Sequence, residues 1–137
     1  MNLIERNADK LSENLTRDLR QHATTPTYHT YDEKELYERA FNVYSNLGKW
    51  ISRETTKEDI ARYYMTLGAQ RKKEGFALSE VIQALTIARR HIWLKVQSEG
   101  FLDTILDLNQ AIELSNRVVL FFDRAIYYTA FGYEQRS

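Results

Sequence analysis

An all-α bundle of about five helices, forming one domain over residues 1–137, is the fold class predicted by three features of the sequence. Breakers are scarce, with one Pro and five Gly in 137 residues, and the abundant Leu, Ala, Glu, Arg and Lys favour helix. Apolar residues recur at steps of three and four through each long segment. The junctions between these segments carry proline, glycine or residues suited to capping helix ends.

The first segment, Met1 to His22, places Ile4, Ala8, Leu11, Leu15 and Leu19 on one narrow stripe. Such a helix is marginal alone, so it must lie on the bundle or pair with a copy of itself. Residues 21–31, QHATTPTYHTY, hold the only proline and form a loop, the best candidate for mobility. Asp32 or Thr30 caps the next helix, whose buried face is Leu36, Ala40, Val43, Leu47 and Ile51, widened by Tyr37, Phe41, Tyr44 and Trp50. Thr55 with Glu58 forms a capping box for a third helix. It carries Ile60, Tyr64 and Leu67 inward and ends in Arg71, Lys72, Lys73 and Glu74, where the helix dipole favours cations. Gly75 closes it, and Phe76 plugs the end of the bundle.

The fourth helix runs from about Leu78 to a stop at Gly100, with Leu78, Ile82, Leu85, Ile92 and Val96 inward and Arg89 on the same stripe. The last helix, Leu102 to about Tyr133, repeats Ile105, Leu108, Ile112, Ser115, Val119, Phe122, Ile126 and Thr129. A second row of Leu114, Val118, Phe121 and Ala125 leaves its later half apolar on nearly every side. That excess predicts a central position or a homodimer contact through Val118, Phe121, Phe122 and Ala125, with Leu11 and Leu15 of the first helix as a further pairing surface.

Charge and composition exclude several functions. Lys plus Arg and Asp plus Glu each number 19, which argues against a surface built for nucleic-acid phosphates or anionic lipid. The absence of cysteine removes disulfides, thiolate metal sites and catalytic thiols, and it fits a reducing, cytoplasmic setting. Glu5 and Asp9 stand where a signal peptide needs a basic flank. No segment approaches the roughly 18 apolar residues of a membrane span. The sequence contains no glycine-rich phosphate loop, GxSxG elbow or HExxH pair, so no enzyme, cofactor or metal function is expected. His91 has no His or Cys at helical spacing and is expected to face solvent. Tyr63, Tyr64, Tyr127 and Tyr128 are read as core or interface residues, and the Arg71–Lys73 run as a solvated face.

Arg89 is the one charge on an apolar stripe. Folding the fourth helix onto the fifth at Gly100 would set Arg89 beside Glu113, with Asn109 and Asn116 in neighbouring layers. Two readings stand: a polar pocket in which the guanidinium holds an anionic or lipid-like ligand head, or an ion pair that fixes helix register.

The stretch RKKEGFALSEVIQALTIARRHIW, Arg71 to Trp93, resembles the signature segment of the RsbRD-type amino-terminal domain, the input module of stressosome co-antagonists of the kinase RsbT. The residues that carry the resemblance are Arg71, Gly75, Phe76, Leu78, Glu80, Val81, Arg89, Arg90 and Trp93; the remaining helices match mainly in pattern. The resemblance implies an all-helical signal-input domain, globin-like without haem, that works through helix repacking, homodimer contacts and an output domain or partner signalling protein. Such inputs stand ahead of output modules, so the chain is expected to be either an input domain separated from its output or a stand-alone protein that binds another chain.

Overall fold

The computed structural model describes residues 2–52, 54–98 and 105–135, with residues 2, 3 and 105–107 described by their backbone alone. Among these the secondary structure is helical throughout: α1 (Asn2–Arg6), α2 (Ala8–Gln21), a short 3₁₀ turn (Pro26–His29), α3 (Glu33–Ser45), α4 (Leu47–Trp50), α5 (Lys57–Lys73), α6 (Leu78–Ser98) and α7 (Ile105–Glu134). The all-α bundle is therefore borne out. The expected helix stop at Gly100 and start at Leu102 fall outside the described residues.

Two of the five expected segments are broken, each at an asparagine. Asn7 leaves helical geometry at φ −107° and ψ 18°, dividing the first segment into α1 and α2. Asn46 does the same between α3 and α4, its side-chain amide donating to the Asn42 carbonyl at 2.8 Å. Asparagine competes with the helix for backbone partners, which is why it divides segments whose apolar pattern runs on unbroken.

The caps were nearly legible. Asp32 accepts from the Lys34 amide at the start of α3. The capping box of α5 lies one residue beyond the expected pair: Thr56 and Asp59 exchange two bonds of 3.1 Å. At the other end of α5, the Phe76 amide bonds the Arg71 carbonyl and the Gly75 amide bonds that of Lys72, a paired closure that requires the left-handed φ of 91° at Gly75. Phe76 then turns inward between Tyr28 and Tyr31, with ring centroids at 4.5 and 4.9 Å, and Tyr133 of α7 donates to its carbonyl at 2.6 Å. The expected aromatic plug is in place.

Helices α5 and α7 form the most extensive pair in the bundle. They touch backbone to backbone: a Cβ on Gly68 would overlap the Thr129 carbonyl, and a Cβ on Gly132 that of Met65. This close approach sets the buried face of α5 along Ile60, Tyr64, Gly68 and Arg71, where Leu67 had been expected. On α7 the buried residues are Ala111, Val118, Phe121, Phe122, Ala125, Thr129 and Gly132. The second pair, α2 with α3, lies across the core from it, and α6 bridges the two by packing on α7 and α2. Helix α6 is tied across the core by Tyr44, whose hydroxyl donates to the Ala88 carbonyl at 2.9 Å.

Candidate functional site

Helices α3 and α5 make little direct contact, and between them a cleft of about 840 Å³ runs in to α2 and α6. That volume lies within the range of small-molecule sites, roughly 300–1,000 Å³. Leu15, Leu36, Leu67, Val81, Leu85 and Phe122 supply much of its apolar wall. Trp50 and Tyr64 close one side, Trp50 stacked on Phe121 at 5.8 Å and Tyr64 edge-on to it at 5.7 Å between centroids. The exposed lining residues Asn42, Lys49, Thr66 and Gln70 mark the mouth, on the side shared by α3, α4 and α5.

Two of the three arginines in this lining, Arg39 and Arg71, meet at Glu74. Arg39 of α3 makes a two-toothed pair with Glu74, at 2.9 Å from Nη1 and 2.6 Å from Nη2, and also reaches Glu35 and the Tyr31 hydroxyl. Arg71 of α5 is only 8% exposed and donates to Glu74 Oε1 at 3.2 Å, an oxygen that Arg39 already holds. Burial lowers the Arg71 pKa and the like charge of Arg39 adds to that. Burial would raise the Glu74 carboxyl, but the bond from Arg39 and the charge of Arg71 outweigh it and hold the group below its ordinary value. Tyr64 is fully buried in the same lining, and its hydroxyl has no hydrogen-bond partner among the described residues.

A second buried charge fixes the loop above the cleft. Glu80, 4% exposed in the first turn of α6, accepts from the Thr27 amide at 2.6 Å, the Thr27 hydroxyl at 2.7 Å and the Ala77 amide at 3.1 Å. Burial favours the neutral acid, yet these donors prevail and the Glu80 pKa is lowered. The loop expected to be the most mobile is thus anchored at Thr27. Buried Thr25 holds it again by donating to the Leu19 carbonyl at 2.8 Å.

The residues expected to form a polar layer are not brought together. Arg89 pairs with Asp123 at 3.5 Å, both partly exposed, while Glu113 pairs with Arg117 on its own helix at 2.7 Å. Asn109 and Asn116 face solvent. Arg89 meets α7 at Asp123, well beyond Glu113 along the chain, so the layer expected from a fold-back at Gly100 does not form. Arg89 instead lines a groove of about 580 Å³ between α6 and α7, with Trp93, Leu114 and Val119.

The expected interface residues are also reassigned. Leu11, Leu15, Val118, Phe121, Phe122 and Ala125 are all buried within the chain, and the apolar residues left exposed on α7 are Leu108, Ile112, Val119, Leu120, Tyr127 and Phe131. Arg71, expected on a solvated face, is in the interior, and so is Glu80. His91 does not face solvent but bonds Asp18 of α2 at 2.7 Å.

The signal for Arg71 was present in the spacing, since it continues Ile60, Tyr64 and Gly68 in steps of four, four and three. Among the described residues no group of three or more His, Cys, Asp or Glu could hold a metal ion, and no helix is long and apolar enough to cross a membrane. No family model, curated protein or solved structure matches the chain.

Proposed function

We propose that the chain is a non-enzymatic signal-input domain of a bacterial stress-type regulator, of the RsbRD kind, acting in the cytoplasm as a homodimer and passing its signal to an output domain or partner signalling protein. The observation that carries this reading is the unpartnered face of α7. Leu120 is 51% and Tyr127 60% exposed, and Leu108, Ile112, Val119 and Phe131 are each at least 40% exposed. Trp93 and Leu94 of α6 extend the apolar surface. Single exposed apolar residues are ordinary, but a contiguous set along one long helix marks a contact surface.

The occupant we assign is a second copy of the chain. The groove between α6 and α7 is flanked by the exposed apolar side chains of the same two helices, so a two-fold arrangement would set each copy's α7 ridge along the other's groove. Charges along the contact alternate, with Glu113 and Arg117 one turn apart and Asp123 beside Arg124, which suits an antiparallel meeting of identical helices. Helix α7 is also the element that α5 grips most tightly, so a change in the bundle would move the contact helix.

The chain has no cysteine, which makes a direct test clean. A single cysteine at Leu120 should form a disulfide-linked dimer under mild oxidation, whereas one at exposed Lys34 of α3 should not. Equal crosslinking at both positions would overturn the assignment.

A further inference from the structure

We infer that the cleft between α3 and α5 binds a monoanionic amphiphile, an apolar chain ending in a carboxylate, with Arg71 as the anchor of its head. The inference deepens the reading above by naming the class of stimulus, and only its regulatory consequence rests on that reading.

The cleft's walls are apolar and aromatic, and its volume of about 840 Å³ would hold an extended or folded hydrocarbon chain. A purely apolar ligand would leave the buried cation unexplained. Arg71 presents five N–H donors, and the one hydrogen bond described for it is the 3.2 Å contact with a Glu74 oxygen shared with Arg39. Arg39 is better supplied, with Glu74, Glu35 and Tyr31 around its guanidinium. Arg71 is therefore the cation short of acceptors, placed at the wall of an apolar cleft.

The lining's own balance selects the charge of the head. Arg39, Lys49, Arg62 and Arg71 line the cleft against Glu35 and Asp59, so an anion is attracted. Glu74 and Glu35 lie close to the arginines, which disfavours a dianion such as a phosphate monoester and leaves room for one added negative charge.

Binding has a mechanical consequence. A chain seated between α3 and α5 presses on α5, and the glycine crossing leaves α5 no freedom to move apart from α7. The displacement passes to the helix that carries the exposed apolar face. A ligand shifts that equilibrium only by its preference between the two packings.

The test is calorimetric titration of the full chain with dodecanoate below its micellar concentration, with dodecanol as the uncharged control. The expected result is one dodecanoate per chain, with dodecanol weaker by roughly tenfold or more, the weight of one charge-assisted hydrogen bond. Arg71→Met should weaken dodecanoate by a similar factor and leave dodecanol unchanged. Ala84→Phe fills the cleft from α6 and should abolish binding of both while the circular dichroism stays helical. The inference is overturned if dodecanoate gives no saturable binding, if dodecanol binds as well, or if Ala84→Phe binds like the parent. The last two comparisons decide even where Arg71→Met fails to fold. Loss of binding in a chain that still dimerises removes this inference alone, and a monomeric chain that binds dodecanoate supports it while removing the dimer reading.

Discussion

Gly68 and Gly132 sit on facing sides of the α5–α7 crossing, each occupying space that the other helix's backbone leaves to no side chain. A methyl on Gly68 would meet the Thr129 carbonyl and come within 2.8 Å of the Tyr133 amide, and one on Gly132 would meet three backbone atoms of Met65. Backbone cannot yield as a flexible side chain can. The two helices are thereby held at the shortest separation in the bundle's main pair, and the direction of α7 is set by that of α5.

Gly132→Ala should therefore destabilise the fold through overpacking by about 1–3 kcal/mol or more. The midpoint of urea unfolding should fall while the secondary structure of the folded state remains helical. Gly75→Ala is a useful contrast: it meets no atom within 4 Å, so its cost comes only from the positive φ.

Acid should weaken the loop before the rest of the bundle. The Glu80 carboxyl has a folded-state pKa below the ordinary glutamate value of 4.5. A depressed pKa contributes stability that is complete above the unfolded value and is lost as pH falls through the folded one. Unfolding free energy should thus be flat near neutrality and decline below about pH 4.5, where Glu74 acts in the same direction. Glu80→Gln should flatten part of that acid limb, cost about 1–3 kcal/mol at neutral pH, and speed hydrogen exchange at the Thr27 amide, which NMR can follow residue by residue.

The two members of the Arg71–Glu74 pair should behave oppositely. Glu74→Gln strands Arg71 in the interior beside Arg39, at a cost of roughly 2 kcal/mol, less than for a fully buried pair because Glu74 keeps some contact with water. Arg71→Met leaves Glu74 fully engaged by Arg39 and relieves the repulsion between two guanidinium groups, so it should be near neutral or stabilising. Thermal melts of the two variants in parallel, without ligand, check the contrast.

The fold class was legible because composition and three-four periodicity act along one helix at a time. What lay between helices was not. Arg89 stands on an apolar stripe in the sequence, but its partner is set by how α6 and α7 pack, and Asp123 rather than Glu113 meets it. Val118 and Phe121 belong to the surplus apolar row of the sequence, yet both are buried within the chain, Phe121 against Tyr64 and Trp50 and Val118 at the α6–α7 groove. Leu108, Ile112 and Val119, members of the main three-four repeat, are exposed instead. Glu80 escaped notice because its three donors come from a loop more than fifty residues earlier and from the turn just before it. Arg71 could have been found, since its step from Gly68 keeps it on the buried side of α5.

Whether α7 presents its exposed apolar face to a second copy of the chain is decided by sedimentation velocity of the parent and of Leu120→Glu. Leu120 is half exposed and touches none of the cleft, so a charge there should leave the fold intact. The parent should sediment as a dimer and Leu120→Glu as a folded monomer, because a carboxylate buried in an apolar contact without a partner is costly. A parent that remains monomeric at high micromolar concentration, or a Leu120→Glu variant that dimerises as the parent does, would contradict it.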